Sequence, residues 1–288
     1  MKLLLTGKNG QVGFELQSAL AQLGDVHAVD SSDCDLANPD ALRDLIQRVR
    51  PQVIINPAAY TAVDKAEEEP ELAMAVNGVA PGVMGEEAAR LGACVIHYST
   101  DYVFDGEKSQ PYLESDETNP LGAYGQSKLA GERALQQATS RHLILRTSWV
   151  VGAHGNNFAK TILRLAGDRE HLSIVSDQHG APTSAALLAQ TTATLIKRMA
   201  SAGEASSFPF GLYHLCAAGE TTWFDYARFV LDHAQRHGTQ TLKATAKDVS
   251  PITSAQYPTR ARRPHNSRLD TQKFRQTFGP RCHPGKTA

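Results

Sequence analysis

The sequence predicts an α/β protein, a doubly wound parallel sheet with a smaller C-terminal lobe, on three observations. Short runs of Val, Ile and Leu alternate with longer helical patterns through the first half of the chain, as repeated βαβ units require. Those runs are apolar at nearly every position, which implies burial on both faces and hence parallel pairing. After about residue 150 the alternation weakens and turn-rich pieces take over. At 288 residues the chain sits near the size at which one core stops growing. The pattern therefore divides it into residues 1–150 and residues 151–288, with some segments of the second part free to return to the first.

Lys2 to Thr6 is the first expected strand. Its three Leu are cut short by Thr6-Gly7-Lys8-Asn9-Gly10, which argues against a signal peptide. Gln11 to Leu23 reads as a helix, with Gly24 just beyond as its stop. Val26 to Asp30 is the second strand, Pro39 to Arg50 the second helix and Val53 to Asn56 the third strand. Glu71 to Leu91 reads as one long helix ended by Gly92, and Cys94 to Ser99 as the fourth strand. Gly122 to Gln137 is a helix leading to a fifth strand, Leu143 to Thr147. Gly152-Ala153-His154-Gly155-Asn156-Asn157 and Asp177-Gln178-His179-Gly180-Ala181-Pro182-Thr183 then mark a ligand-facing lobe. Ser201 to Ser207 reads as a flexible surface loop, and no helical period survives in the tail after about residue 278.

Composition excludes several classes of function. With 29 Lys+Arg against 30 Asp+Glu, the net charge of −1 offers a polyanion no basic surface, so no nucleic-acid partner is expected. No stretch approaches the roughly 18 to 20 apolar residues of a membrane span, so a soluble protein is expected. The cysteines Cys34, Cys94, Cys216 and Cys282 lack the short paired spacings of a zinc site or disulfide framework, and reduced thiols in a cytoplasm fit them best. No metal is expected either: Glu15 is the kind of carboxylate that bridges subunits, but Ala185, Ala186 and Gln190 give it no acidic partner.

Three groups of residues carry chemistry. Gly7-Lys8-Asn9-Gly10-Gln11-Val12-Gly13 follows the first strand and opens the first helix, where a dinucleotide fold, that is a Rossmann-like one, seats a pyrophosphate on free N–H groups and the helix dipole. The same spacing also suits a tight strand-to-helix turn without ligand. Asp30 ends the second strand about 20 residues on, where a carboxylate accepts from an adenosine ribose and favours NAD over NADP; a turn Asp is the plainer alternative. Tyr124 and Lys128 stand four residues apart, on one face of a helix, where a cation brings a phenol closer to its working range; a surface helical pair is the plainer alternative. Ser99-Thr100-Asp101, at the end of an apolar strand, adds a hydroxyl to that pair. The basic run Arg260-Ala261-Arg262-Arg263-Pro264-His265 suits either phosphate contact or a solvated loop.

The sequence resembles the extended short-chain dehydrogenase/reductases over residues 1 to about 270. The resemblance rests on Gly7 to Gly13, Asn56 to Glu67, Ser99-Thr100-Asp101-Tyr102-Val103-Phe104-Asp105-Gly106, Tyr124 to Glu132, Arg146-Thr147-Ser148-Trp149, Asn157-Phe158, Asp177 to Thr183 and Arg262 to Ser267. It implies an NAD(P)-binding Rossmann domain over 1–150 and mainly a substrate-binding lobe over 151–288. The implied reaction is NADPH- or NADH-dependent reduction of the C4 keto group of dTDP-4-dehydro-L-rhamnose to dTDP-L-rhamnose, for cell-surface polysaccharide. By the resemblance Tyr124 is the proton donor, Lys128 lowers its pKa and holds the nicotinamide ribose, and Thr100 hydrogen-bonds the substrate carbonyl. Gly7, Gly10, Gln11, Val12, Gly13, Asp30, Asp35, Leu36, Ala59, Tyr60 and Thr61 are implied to line the cofactor with Tyr124 and Lys128. Asp101, Trp149 and Arg263 join Thr100 on the sugar nucleotide. The same superfamily also holds nucleotide-sugar epimerases and dehydratases, and a non-catalytic NAD(P)-binding regulatory subunit is similar to it. A monomer or weak homodimer is expected.

Overall fold

The computed structural model describes residues 1–202, 208–238 and 241–279. Most of the expected loop Ser201 to Ser207, and the tail beyond Gly279, lie outside the described residues.

The first half winds as expected. β1 (Lys2–Leu5), α1 (Gln11–Leu20), β2 (Asp25–Ala28), α2 (Pro39–Val49) and β3 (Val53–Asn56) follow in turn. Next come α3 (Val63–Ala66), α4 (Pro70–Met74), α5 (Ala80–Leu91), β4 (Cys94–Thr100), α6 (Ala123–Ala138) and β5 (His142–Thr147). The second half holds β6 (Val150–Val151), α7 (Phe158–Asp168), β7 (Leu172–Val175), β8 (His179–Gly180), β9 (Thr183–Ser184), α8 (Ala185–Ser201) and β10 (Gly211–His214). β11 (Thr221–Thr222), α9 (Trp223–His237), β12 (Val249–Ile252) and α10 (Gln272–Phe278) complete the described elements.

The main sheet has the order β10-β5-β4-β3-β1-β2, parallel throughout. β10, from the second half, closes one edge of it, and α8 packs beside α1. One apolar layer, including Leu3, Leu16, Leu20, Ile96, Leu188 and Phe274, fills the α1/α8 side. Another, with Leu42, Ile46, Ile54, Met84 and Ile144, fills the α2/α5 side. A separate core of Ile162, Ala166, Leu172, Ala227, Leu231 and Val249 holds α7, α9, β7 and β12 together.

Three expectations need correction. β2 is not buried on both faces: it is the sheet's edge, and Asp25 and His27 point to solvent while Val26 and Ala28 are partly buried. The first helix ends at Leu20, not Leu23, and Gly24 serves the turn into β2, where a Cβ would stand 1.9 Å from the Met1 carbonyl oxygen. The long helix over Glu71 to Leu91 is three pieces, α4, a π-helical segment Ala75–Val79 and α5. Pro70 opens α4 and Pro81 is the second residue of α5, first-turn positions that suit a residue with no N–H for the helical ladder.

Candidate active site

The carboxyl ends of the central strands converge on a cleft of about 600 Å³, the position at which open α/β sheets bind ligands. β1 enters it through a sharp turn. Gly7 takes φ +62°, and a Cβ there would lie 2.9 Å from the Cα and Cβ of Ala58, so side-chain bulk is excluded twice. Gly13 is buried behind that turn. A Cβ on it would stand 2.0 Å from the Gly7 carbonyl oxygen, so its absence lets α1 seat against β1. Gly13 thus shapes the cleft without lining it, whereas Gly7, Gly10, Gln11 and Val12 do line it. Gly10 caps α1 without a side chain, which leaves first-turn N–H groups and the positive helix end for an anion. An open turn with no side chains, ending on uncapped N–H donors, fits the pyrophosphate of a dinucleotide.

Asp30, Asp35 and Leu36 line the far end of the cleft. The Ser32 hydroxyl and amide donate to Asp30 at 2.6 and 2.9 Å, Asn9 donates to its other oxygen, and Lys8 lies 3.8 Å away. The Ser32 bonds, aided by Lys8, hold Asp30 below the usual carboxylate range. Lys8 itself donates to Asp33 at 2.5 Å. On the near side, Ala59 and Thr61 line the wall, but the Tyr60 side chain turns away and its hydroxyl donates to Glu69 at 2.7 Å. The Tyr60 amide donates to Asn77 Oδ1 at 2.8 Å, and Asn77 Nδ2 returns a bond to the Tyr60 carbonyl at 3.0 Å. Asn77 is one of two buried residues of the π-helical segment, with Gly78, and the widened turn carries it to this strand-end loop.

Thr100, Tyr124 and Lys128 come together at the end of β4 and the start of α6. The partly exposed Tyr124 ring meets Tyr102 edge-on at 5.5 Å. Its phenol bonds the Thr100 hydroxyl, which donates to Asp101 Oδ1 at 3.0 Å and accepts from the Tyr102 amide at 3.2 Å. Burial pushes the phenol well above its ordinary range, Thr100 opposes this, and Asp101 and Tyr102 add to it. Tyr124 therefore keeps its proton at neutral pH. Lys128 is not among the groups that act on the phenol in this arrangement. Lys128, only 2% exposed, turns Nζ inward, to the Tyr98 carbonyl at 2.7 Å and His97 Nε2 at 3.2 Å. Burial brings Lys128 down to about 8.

The residues expected at the sugar lie just outside the cleft. Asp101 is buried, and that burial raises it to about 6 against the Ser267 and Thr100 hydroxyls. Trp149 adopts a left-handed backbone, φ +48°, costly for a bulky side chain. It stacks on Trp223 with centroids 3.5 Å apart, and Phe158 extends the apolar wall. Trp223 had no signal in the sequence beyond being the second tryptophan. Arg263 donates to Asp64 Oδ2 at 2.7 Å and bonds the Tyr102 hydroxyl, one ring away from Tyr124. Arg260 pairs with Glu68, so much of the basic run is matched by carboxylates in and after α3. No helix among the described residues is long and apolar enough to cross a membrane.

Comparison with known proteins places the chain in a family. The family model described as the RmlD substrate binding domain matches residues 1–287. The dTDP-4-dehydrorhamnose reductase of Shigella flexneri is 51% identical over 283 residues, covering 96% of this chain and 92% of the relative. A crystal structure of a dTDP-4-dehydrorhamnose reductase from Clostridium acetobutylicum superposes with a TM-score of 0.87 at 36% identity, covering 97% of this chain and 93% of that one. The Bacillus anthracis dTDP-4-dehydrorhamnose reductase, crystallised in complex with NADP, also gives 0.87, at 33% identity, covering 97% and 94%.

Proposed function

The chain belongs to the RmlD substrate binding domain family, and from that premise we propose that it reduces dTDP-4-dehydro-L-rhamnose at C4 to dTDP-L-rhamnose with NADPH or NADH. This is the last step of dTDP-rhamnose synthesis. The observation that carries the reading is the Thr100–Tyr124 hydrogen bond at a cleft lined by Tyr124, Lys128 and the glycine turn.

The reduced nicotinamide supplies the hydride. Gly7, Gly10, Gln11 and Val12, with the open end of α1, hold the pyrophosphate, and Gly13 keeps that turn in place. Asp30, Asp35 and Leu36 take the adenosine end; Ala59, Thr61 and the Tyr60 main chain take the middle, with Tyr124 and Lys128 at the reacting end. Tyr124 holds the proton that the C4 oxygen receives, which is why a phenol kept protonated by burial suits a donor. Thr100, already bonded to that phenol, hydrogen-bonds the same carbonyl. Lys128 lies one turn along α6 from Tyr124, where its positive charge stabilises the phenolate left behind. Asp101 and the Trp149 face contact the sugar, and Arg263 exchanges Asp64 for a substrate phosphate.

Residues 1–150 act mainly on the cofactor and residues 151–288 mainly on the substrate. The protein works in the cytoplasm as a monomer or weak homodimer, with neither nucleic acid nor membrane as partner; the net charge of −1 supports the absence of a nucleic-acid partner alone. The test is to mix the purified protein with NADPH or NADH and dTDP-4-dehydro-L-rhamnose, following reduced cofactor and sugar together. Coupled loss of both supports the reading. Conversion of the sugar without net cofactor consumption overturns it.

A further inference from the structure

Beneath the cleft runs a buried polar chain that the reaction above does not use. Thr6 follows β1, Asn56 ends β3 and His97 lies within β4, where the strand register pairs Asn56 directly with His97. The Thr6 hydroxyl meets Asn56 Oδ1 at 2.6 Å, Asn56 Nδ2 meets His97 Nδ1 at 3.0 Å, and His97 Nε2 meets Lys128 Nζ at 3.2 Å. These four side chains are at most 2% exposed. Polar groups this deep in a sheet are costly unless each finds a partner of the right kind, so each link restricts the next.

Burial, and then the charge of Lys128, push His97 well below its ordinary range, so the imidazole stays neutral with one N–H and one lone pair. Two arrangements satisfy the chain. When Lys128 is an ammonium, Nε2 accepts, Nδ1–H donates to the Asn56 oxygen, and the Asn56 amide nitrogen donates to Thr6. When Lys128 is an amine, every bond reverses: Nε2–H donates to Nζ, Nδ1 accepts from Asn56 Nδ2, and Thr6 donates to Asn56 Oδ1. The Asn56 orientation seen here is of the second kind. An amide passes no proton along readily, so the chain transmits orientation rather than protons.

We propose that His97, backed by Asn56 and Thr6, is a positioning residue that fixes Lys128 beneath the cleft and exchanges tautomer whenever Lys128 changes charge. The inference rests on Lys128 being the cation of the reacting end. Other ionisable groups near this pair are already engaged. Glu132 on α6 is held by Arg146 of β5 through bonds of 2.9 and 2.7 Å, the Tyr98 hydroxyl of β4 meets Thr192 of α8, and Tyr124 and Asp101 share Thr100. Among the described residues, the side chain that meets Lys128 Nζ is His97.

The decisive experiment is a pH titration of the ¹⁵N-labelled full chain by long-range ¹H–¹⁵N correlation, with the His97 signal identified by its loss in His97→Asn. The imidazole should stay neutral and pass from Nδ1–H to Nε2–H with a midpoint near the Lys128 value of about 8. In Lys128→Met the tautomer should no longer respond to pH. A single tautomer throughout, protonation to the imidazolium, or a switch that survives Lys128→Met overturns the proposal. Kinetics supply a second readout. His97→Gln, which keeps an acceptor near the Nε2 position, should hold the basic limb of kcat/KM in place, whereas His97→Leu should move it at least about one pH unit lower. Thr6→Val, a near-isosteric change at the far end, should move it in the same direction by less. An unmoved limb in both His97→Leu and Thr6→Val overturns the proposal. The titration needs no substrate, so its failure removes only the relay, while wild-type turnover by Lys128→Met removes the functional reading.

Discussion

Replacing Tyr124 by Phe separates proton donation from everything else that residue does. The ring stays, so the edge-on contact with Tyr102 at 5.5 Å survives. Thr100 loses the phenol but still donates to Asp101 and accepts from the Tyr102 amide, so no buried polar group is stranded. The cost in stability should therefore stay below about 1 kcal/mol, within the net value of one ordinary hydrogen bond. The rate should suffer far more. A positioned general acid is worth about 10² to 10⁴, which is about 2.7 to 5.4 kcal/mol of barrier at 1.36 kcal/mol per tenfold. Thr100 remains able to polarise the carbonyl, so some turnover should persist. Steady-state and single-turnover loss of reduced nicotinamide, read against product, give kcat, and fluorescence titration gives cofactor Kd. The expected result is kcat lowered at least about 100-fold with Kd within about twofold. A kcat within about threefold of wild type would refute the assignment, and a Kd that rises in proportion to the lost rate would make Tyr124 a binding residue.

Three further outcomes are expected. Because burial lowers Lys128 to about 8, its ammonium is present below that pH and lost as pH rises through it, so kcat/KM should fall on the basic side near 8; in Lys128→Met, rate and cofactor affinity should both drop and this limb should vanish, which a pH–rate profile checks. Asp30→Ala removes a ribose acceptor and a negative charge while Lys8 stays with Asp33, so the NADPH/NADH ratio of kcat/KM should rise roughly tenfold; an unchanged ratio would deny Asp30 that role. Arg263→Ala should raise KM for the nucleotide sugar by about tenfold, the low end for a charge-assisted contact because Asp64 competes for the guanidinium, and leave cofactor Kd unchanged by calorimetry.

Legibility in the sequence followed how local each constraint is. The Gly7 to Gly13 turn and the Tyr124/Lys128 spacing are local and could be read directly, since a strand, a turn and one helix face set their geometry. β2 departs from the expected burial on both faces although its Asp-Val-His-Ala alternation is itself the mark of an exposed face; strand order, a global property, decides which strand is the edge. Pro70 and Pro81 announced breaks, but the extra residue of the π-helical turn leaves no mark in the hydrophobic period. Lys128 turns inward to the Tyr98 carbonyl and His97, and polar residues inside apolar strands become meaningful only once the register sets Asn56 beside His97. The stacking of Trp149 on Trp223 joins residues 74 positions apart and is invisible to any spacing rule.

The measurement closest to the central claim is isotope transfer. NADPH carrying deuterium at the transferable C4 position is incubated with the enzyme and dTDP-4-dehydro-L-rhamnose, and the product sugar is examined by NMR and mass spectrometry. The account predicts stoichiometric appearance of deuterium on C4 of the rhamnose with matching oxidation of the cofactor. Rhamnose formed without deuterium at C4, or label remaining on the cofactor while the sugar changes, would contradict it.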